Sequence, residues 1–232
     1  MSHTVSTGKP HPKLQMHFHS MDQQLEASTL GMWVFLVTEV MFFGGLFMAY
    51  IVYRNMYPLA WVEASHELNW RLGGLNTVVL ICSSITMALG VRAAMMGNRK
   101  WQMNYIAITS LLGATFLVVK FFEYKAKFEH HLVPGPNWDP HEVLANGQLV
   151  PVHLPEGAQI FFSLYFIMTG IHAIHMVIGL GIMAYIWWQA KKGAYDAEYF
   201  APVEVSGLYW HFVDIVWIFL FPLLYLLGAH GV

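Results

Sequence analysis

The stretch LGMWVFLVTEVMFFGGLFMAYIVY, residues 30–53, is almost wholly apolar and carries one ionisable side chain, Glu39. A helix rises about 1.5 Å per residue and the hydrocarbon core of a bilayer is about 30 Å thick, so a run of this length spans a membrane with Glu39 near its midplane. A carboxylate at that depth costs about 2.5–3.5 kcal/mol. We therefore expect Glu39 to face protein, lipid headgroups or water and to carry a proton much of the time. The alternative is a buried Glu39 that serves only packing, hydrogen-bonded to a neighbouring helix.

The composition of the chain is that of an integral membrane protein. Of its 232 residues, 56% are hydrophobic and only 11% are charged, against about a quarter in soluble domains. A formal charge of −2 provides no basic field, so no nucleic-acid partner is expected. The single cysteine, Cys82, excludes a disulfide framework and a CxxC metal knuckle. The first apolar run is too long for the core of a signal peptide, so we expect it to be retained.

Apolar runs of spanning length predict an all-α membrane protein, a bundle of five transmembrane helices. The predicted spans are residues 30–53, 72–96, 103–123, 158–188 and 205–227. Residues 1–28 are interpreted as a polar tail that becomes a surface helix, with Ser28 or Thr29 capping the first span, and residues 29–232 as the transmembrane domain. The proline-rich residues 125–157 predict a structured loop outside the membrane.

The distribution of basic residues predicts the orientation of the bundle. The tail and the turns at 92–100 and 191–192 hold about seven of the twelve lysines and arginines. Because cytoplasmic loops are enriched in these residues, the N-terminus is expected inside and, with five spans, the C-terminus outside.

Several polar residues recur three positions apart within the spans and therefore share a helix face. They are His172 and His175, His211 and Asp214, and Lys120 and Glu123. The last pair is expected to form an interfacial salt bridge. The histidine-containing pairs leave two possibilities open: a transition-metal or proton-relay site built from facing helices, or interhelical hydrogen bonds to hydroxyls and tryptophan N–H groups. A haem site fits less well, because haem between two spans takes single axial ligands at matched depth.

Several motifs resemble subunit III of the haem-copper terminal oxidases. They are TEVMFFGGLFMAY around Glu39, LNTVVLICSSIT, the FFEY end of the third span, TGIHAIHMVIGLG and LYWHFVDIVWIFLFPLLYLLG. The similarity covers residues 28–228 in the family's order.

The resemblance implies a cofactor-free, helical subunit of a cytochrome c oxidase in a bacterial inner membrane, with the haem and copper held by partner subunits. The implied partners are catalytic subunit I, with subunit II in the same complex, and bound phospholipid. The implied roles are lipid binding, support of proton uptake and protection of the catalytic subunit during turnover. Glu39 matches the family's membrane-buried carboxyl. The family's other polar intramembrane positions fall on Glu123, His172, His175, Glu204, His211 and Asp214.

The sequence departs from the mitochondrial form of this family in three respects. Two N-terminal spans are missing, Met48 stands where a tryptophan follows the buried carboxyl, and Gln189 replaces a phosphate-binding arginine. Lipid headgroup binding then falls to Lys191 or Lys192. The alternatives are subunit III of a quinol oxidase, the related accessory protein of nitric oxide reductase, or a metal or proton transporter built on the histidine pairs. Glu39 favours cytochrome c as the electron donor.

Overall fold

In the computed structural model, the described residues are 12–129, 132–135, 138, 143–145, 148–150 and 154–226. The α-helices in these ranges are α1 (Met21–Met56), α2 (Pro58–His66), α3 (Trp70–Met95), α4 (Arg99–Glu129), α5 (Ala158–Lys191) and α6 (Ala201–Phe221), and α6 continues into a π-helical segment, Pro222–Leu226. In this part of the chain, five helices are long and apolar enough to cross a membrane: α1, α3, α4, α5 and α6 with its extension. The predicted all-α membrane fold with five spanning helices is therefore confirmed.

Helix α1 is continuous from the polar segment into the membrane. Its N-cap is Ser20, whose hydroxyl accepts from the backbone N–H of Gln23 at 3.1 Å. The boundary drawn after residue 28 falls inside this helix, because MDQQLEAS has no glycine or proline to interrupt it. The prediction that Ser28 or Thr29 caps the span is wrong. The hydroxyl of Ser28 donates instead to the carbonyl of Gln24 one turn earlier, at 2.8 Å.

The other observed helices also extend beyond the predicted spans by up to about two turns, because polar and aromatic residues at headgroup level continue the helix. The predicted end of the fifth span, residue 227, lies outside the described residues.

The connecting segments contain structure that hydropathy did not indicate. Between α1 and α3, Pro58 occupies the first turn of α2, where its missing N–H costs nothing. The ring of Trp61 from this short helix is buried against Tyr50 and Phe161, at centroid distances of 5.8 and 5.6 Å. Between α4 and α5, β1 (Val143–Ala145) pairs antiparallel with β2 (Gln148–Val150) in a small hairpin.

Helix α6 is the centre of the bundle and α1 is its periphery. In the most apolar 18-residue stretch of each helix, 56% of the residues of α6 are buried but only 17% of those of α1. The indole of Trp210 on α6 fills the space left by two glycines. A Cβ atom at Gly113 of α4 would lie 2.6 Å from Trp210 Cη2, and one at Gly179 of α5 would lie 2.9 Å from Trp210 Cζ3. Small residues thus let three helices approach closely, which substitutes for the missing hydrophobic effect in lipid.

Candidate functional site: a carboxyl–imidazole pair and two buried polar networks

Glu39 of α1 is paired with His175 of α5 across the membrane interior. Glu39 Oε2 lies 3.1 Å from His175 Nε2, and both side chains are mostly buried, with 19% and 16% of their surfaces exposed. The other ring nitrogen, Nδ1, lies 2.9 Å from the carbonyl oxygen of Ile171, one turn earlier in α5. Phe43 packs against the imidazole at a centroid distance of 5.5 Å.

The two contacts of His175 limit where the hydrogens of this pair can lie. A backbone carbonyl only accepts, so His175 Nδ1 carries a hydrogen that it donates to Ile171. The contact between Nε2 and Oε2 then needs one further hydrogen, on either the imidazole or the carboxyl. The pair is therefore a neutral acid beside a neutral imidazole, or a carboxylate beside an imidazolium. In both forms its net charge is zero, which lowers the cost of placing a carboxyl in lipid.

The pair lies in the wall of an apolar groove between α1, α5 and α6. The cavity has a volume of about 660 Å³. Its lining is apolar except for Glu39, His175, Ser206 and the phenol groups of Tyr185 and Tyr209. Tyr209 donates its hydroxyl to the carbonyl of His175 at 3.1 Å, which holds α6 against α5 at this depth. The groove therefore offers one proton-sharing group on an otherwise hydrophobic surface.

The predicted ion pair of Lys120 and Glu123 forms, and it is buried inside the bundle. Lys120 Nζ lies 2.9 Å from Glu123 Oε2, and only 6% and 4% of these side chains are exposed. Tyr225 and Tyr165 donate their hydroxyls to Glu123 Oε1 at 2.5 and 3.0 Å, and Lys120 also donates to the Tyr225 oxygen at 2.7 Å. Every carboxylate oxygen is thus bonded, as a buried charge requires. These tyrosines come from α5 and from the π-helical segment, so the pattern of α4 alone could not indicate them.

The second network surrounds Asp214 and His211 of α6. Ser83 Oγ donates to the carbonyl oxygen of Leu80 at 2.8 Å, lies 3.5 Å from Asp214 Oδ2 and accepts from the indole N–H of Trp210 at 3.1 Å. Ser84 Oγ lies 2.6 Å from His211 Nδ1. These contacts match the hydrogen-bonding interpretation for the pair of His211 and Asp214, but not for His172, whose ring nitrogens have no partner among the described residues.

The polar pairs do not converge on a common metal site. His172 is buried between Phe116 and Trp217, at centroid distances of 5.5 and 5.2 Å, whereas His175 faces Glu39. Among the described residues, no group of three or more His, Cys, Asp or Glu side chains could hold a metal ion. The facing-pair arrangement that a transporter site needs is therefore not formed in this part of the chain.

The remaining predicted residues lie near the ends of the helices. Glu204 is half-buried in the first turn of α6, where a negative charge is favourable with the helix dipole. Lys191 and Lys192 are exposed at the end of α5. The ammonium of Lys192 lies 3.1 Å from the ring centroid of Trp188 and that of Lys191 lies 5.6 Å from that of Trp187. Both lysines lie at the C-terminal end of α5 beside aromatic rings.

The described residues contain five helices of spanning length and a carboxyl–imidazole pair between two of them, so the chain is a multi-pass membrane protein. Comparison with known proteins then gives the family. The family model described as cytochrome c oxidase subunit III matches residues 15–130 and 155–229. The chain belongs to this family.

Three bacterial relatives illustrate the similarity. A cytochrome c oxidase subunit 3 from Synechocystis is 33% identical over 198 residues, covering 85% of this chain and 74% of the relative. A probable cytochrome c oxidase subunit 3 from Nocardia farcinica is 32% identical over 222 residues, covering 96% and 98%. A quinol oxidase subunit 3 from Bacillus subtilis is 32% identical over 202 residues, covering 87% and 88%. The chain is thus a subunit III of a haem-copper oxidase, part of an oxidoreductase complex.

Proposed function

We propose that this chain is the non-catalytic subunit III of a cytochrome c oxidase, beside catalytic subunit I and with subunit II in the same complex. Its membrane is proposed to be a bacterial inner membrane. The haem and copper belong to the partner subunits, and this chain holds no metal of its own. Its role is to bind phospholipid and to support proton uptake and turnover lifetime of the catalytic subunit.

The pairing of Glu39 with His175 is the observation that carries the proton-linked part of the proposal. The pair shares one proton across a hydrogen bond of 3.1 Å and lies at mid-membrane beside an apolar groove. A proton can move between carboxyl and imidazole without changing the net charge of the pair, so neither form leaves an isolated charge in lipid. Such a pair can respond to the field of a nearby catalytic subunit without taking part in oxygen chemistry.

The groove supports the lipid part of the proposal. A volume of about 660 Å³ with an apolar lining suits acyl chains. Lys191 and Lys192 lie at the end of α5, the helix that forms one wall of the groove, where a basic side chain can meet a phosphate. We propose these lysines as headgroup contacts.

Purification of the intact complex through a tag on this chain tests the proposal. We expect haem subunits to copurify and oxygen consumption with reduced cytochrome c to exceed that with quinol. Native mass spectrometry of the same preparation should show retained phospholipid. After the partners are removed, elemental analysis of this chain should show no stoichiometric copper, iron or zinc. A preparation without haem contradicts the oxidase role, and a preference for quinol contradicts only the choice of donor.

A further inference from the structure

Five side chains in the described part of the chain have buried atoms that bond to no protein group, and three of these side chains lie on α3, α5 and α6. They are Asn76 of α3, His172 of α5 and Asp214 of α6, and each is at most 1% exposed. Both amide atoms of Asn76, both ring nitrogens of His172 and Oδ1 of Asp214 lack a partner among the described residues. Native interiors satisfy almost all such groups, and the requirement is strictest where lipid surrounds the protein.

One of these side chains contacts Trp217, and the other two lie within one helical turn of this tryptophan or of its hydrogen-bond partner Thr77. The ring of Trp217 lies 5.2 Å from that of His172, measured between centroids. Its indole N–H donates to Thr77, the neighbour of Asn76, at 3.1 Å. Asp214 precedes Trp217 by three residues, which is one turn of α6. Asn76, His172 and Asp214 therefore lie at nearly the same level along the bundle axis, within about one helical turn of Trp217.

The two buried networks lie on opposite sides of this level. On one side, the ring of Trp217 is 6.4 Å from that of Tyr225 and 4.6 Å from Lys120 Nζ, which belong to the network of Glu123. On the other side, Asp214 Oδ2 lies 3.5 Å from Ser83 Oγ, which accepts from the indole N–H of Trp210. The unpartnered atoms thus occupy the interval between two hydrogen-bonded clusters.

We propose that this interval is a binding site for ordered water molecules, which bond to Asn76, His172 and Asp214 and join the two networks into one polar column. Water suits the available groups better than an ion does. A neutral imidazole and an amide each offer both a donor and an acceptor, and a water molecule needs about three such partners. Among the residues that the structure describes, no three His, Cys, Asp or Glu side chains converge at this level to hold a metal ion.

The column has a physical consequence that does not depend on the proton-sharing pair at Glu39. Water in this interval would bond to both Asp214 and His172. It would thereby connect the network around Asp214 with the network around Glu123. Protons bound to these buried groups can then exchange along the bundle axis without a charged side chain facing lipid.

Direct observation of the site is the first test. Electron cryomicroscopy of the intact complex, at a resolution that shows ordered water, should reveal at least two water peaks. These peaks should lie within about 3.2 Å of the Asn76 amide, the His172 ring nitrogens or Asp214 Oδ1. The proposal is overturned if water is visible elsewhere in the membrane interior but not here, or if these three side chains bond directly to one another.

The second test measures the thermal midpoint of the complex that carries Asn76→Leu. Leucine is nearly isosteric with asparagine but apolar, so the direction of the change in midpoint is informative. If water bonds to Asn76, the variant leaves that water short of a partner, and the thermal midpoint of the complex should fall by about 2–6 °C. If the amide is dry and unbonded, its removal relieves a penalty and the midpoint should rise. A midpoint that is unchanged or raised overturns the proposal.

Thr115→Val is the matched control for this measurement. Thr115 is exposed on α4 and its hydroxyl donates to the carbonyl of Leu111 in its own helix. Its replacement should leave the midpoint within about 1 °C, because surface changes away from buried groups have small effects. Both measurements use the whole complex and do not require oxidase activity, so their outcome is separate from that of the proposed function.

Discussion

At the scale of single residues, Glu39 and His175 show how a carboxyl is accommodated at mid-membrane. The carboxyl is neither isolated nor fully exposed, since His175 Nε2 lies 3.1 Å from its Oε2. The histidine is oriented by its donation to Ile171, so its free nitrogen faces α1. Glutamine has nearly the same shape as glutamate but no titratable proton. Replacing Glu39 by glutamine therefore tests the role of its proton while the contact with His175 is kept.

We predict that Glu39→Gln leaves assembly and most oxygen reduction intact. The glutamine amide can donate to His175 Nε2, so the contact between α1 and α5 is kept. Labelling of this chain by a hydrophobic carbodiimide should be lost, and any functional change should appear in proton uptake or in the number of turnovers before inactivation. Labelled-peptide mass spectrometry and oxygen-electrode traces measure both.

Glu204→Gln is the control for that experiment, because it removes a carboxyl at the end of α6 rather than at mid-membrane. It should leave labelling unchanged. Two results contradict the prediction for Glu39→Gln: full haem content with no oxidase activity, which makes Glu39 catalytic, or unchanged labelling, which places the reactive carboxyl elsewhere.

Lys120 illustrates a buried charge whose removal is costly. We predict that Lys120→Met destabilises the complex by about 3–5 kcal/mol, because it leaves the Glu123 carboxylate buried without its cation. Lys125→Met is the matched control, since Lys125 pairs with Glu129 at 3.7 Å with both side chains about 60% exposed. That change should cost at most about 1 kcal/mol. Thermal unfolding of the purified complex measures the difference.

A double variant sharpens this prediction. Lys120→Met with Glu123→Gln removes both charges, while Tyr165 and Tyr225 can still donate to the glutamine oxygen. Most of the lost stability should return. If the double variant is less stable than Lys120→Met alone, the cost does not come from an unpaired charge.

At the scale of the elements, α4, α5 and α6 are held together by the fit of one indole between two glycines. Trp210 is fully buried, so its ring is packed on all sides and cannot shift to accommodate a larger neighbour. The same helices carry the Lys120–Glu123 network and the Asp214 cluster, so the close approach at Trp210 also determines the spacing of the polar side chains.

We predict that Gly113→Ala lowers stability by about 1–3 kcal/mol, because the new methyl group lies 2.6 Å from Trp210 Cη2. Gly181→Ala is the matched control, since no atom lies within 4 Å of a Cβ atom at that position of α5. It should be neutral or slightly stabilising, because alanine favours a helix by about 1 kcal/mol over glycine. Equal thermal midpoints for the two variants contradict the proposed packing role of Gly113.

At the scale of the whole molecule, the basic turns at one end of the bundle lie close together. A Cβ atom at Gly193, after α5, would lie 3.4 Å from the Arg99 guanidinium before α4, and one at Gly97 would lie 3.7 Å from Ala197. The ammonium of Lys13 in the N-terminal segment lies 4.6 Å from the ring centroid of Tyr199. The described part of the N-terminal segment and these turns therefore share one end of the bundle.

We predict that this face is cytoplasmic. In a Cys82→Ser background, a cysteine at Glu198 should react with a membrane-impermeant maleimide only when the cytoplasmic face is accessible. One at Glu156, just before α5, should react from the opposite side; both positions are exposed. The reverse labelling pattern contradicts the orientation. A site near Asn146 tests the same loop but lies outside the described residues.

The sequence by itself determined the number of spans, their approximate positions and the family, because these depend on local hydropathy and on motifs within single helices. It also indicated which side chains are polar at membrane depth. The helix ends were less predictable, because α1 and α4 continue through polar residues that a hydropathy window excludes.

Only the tertiary structure decided which polar groups meet. Glu39 and His175 are 136 positions apart, and Tyr225 is 102 positions from Glu123. The i, i+3 spacing placed Lys120 and Glu123 on one face but could not show that this face is buried by α5 and the π-helical segment. The physical reason is that a helix satisfies its own backbone, whereas a polar side chain in lipid must find its partner on another helix, and that partner depends on how the helices pack.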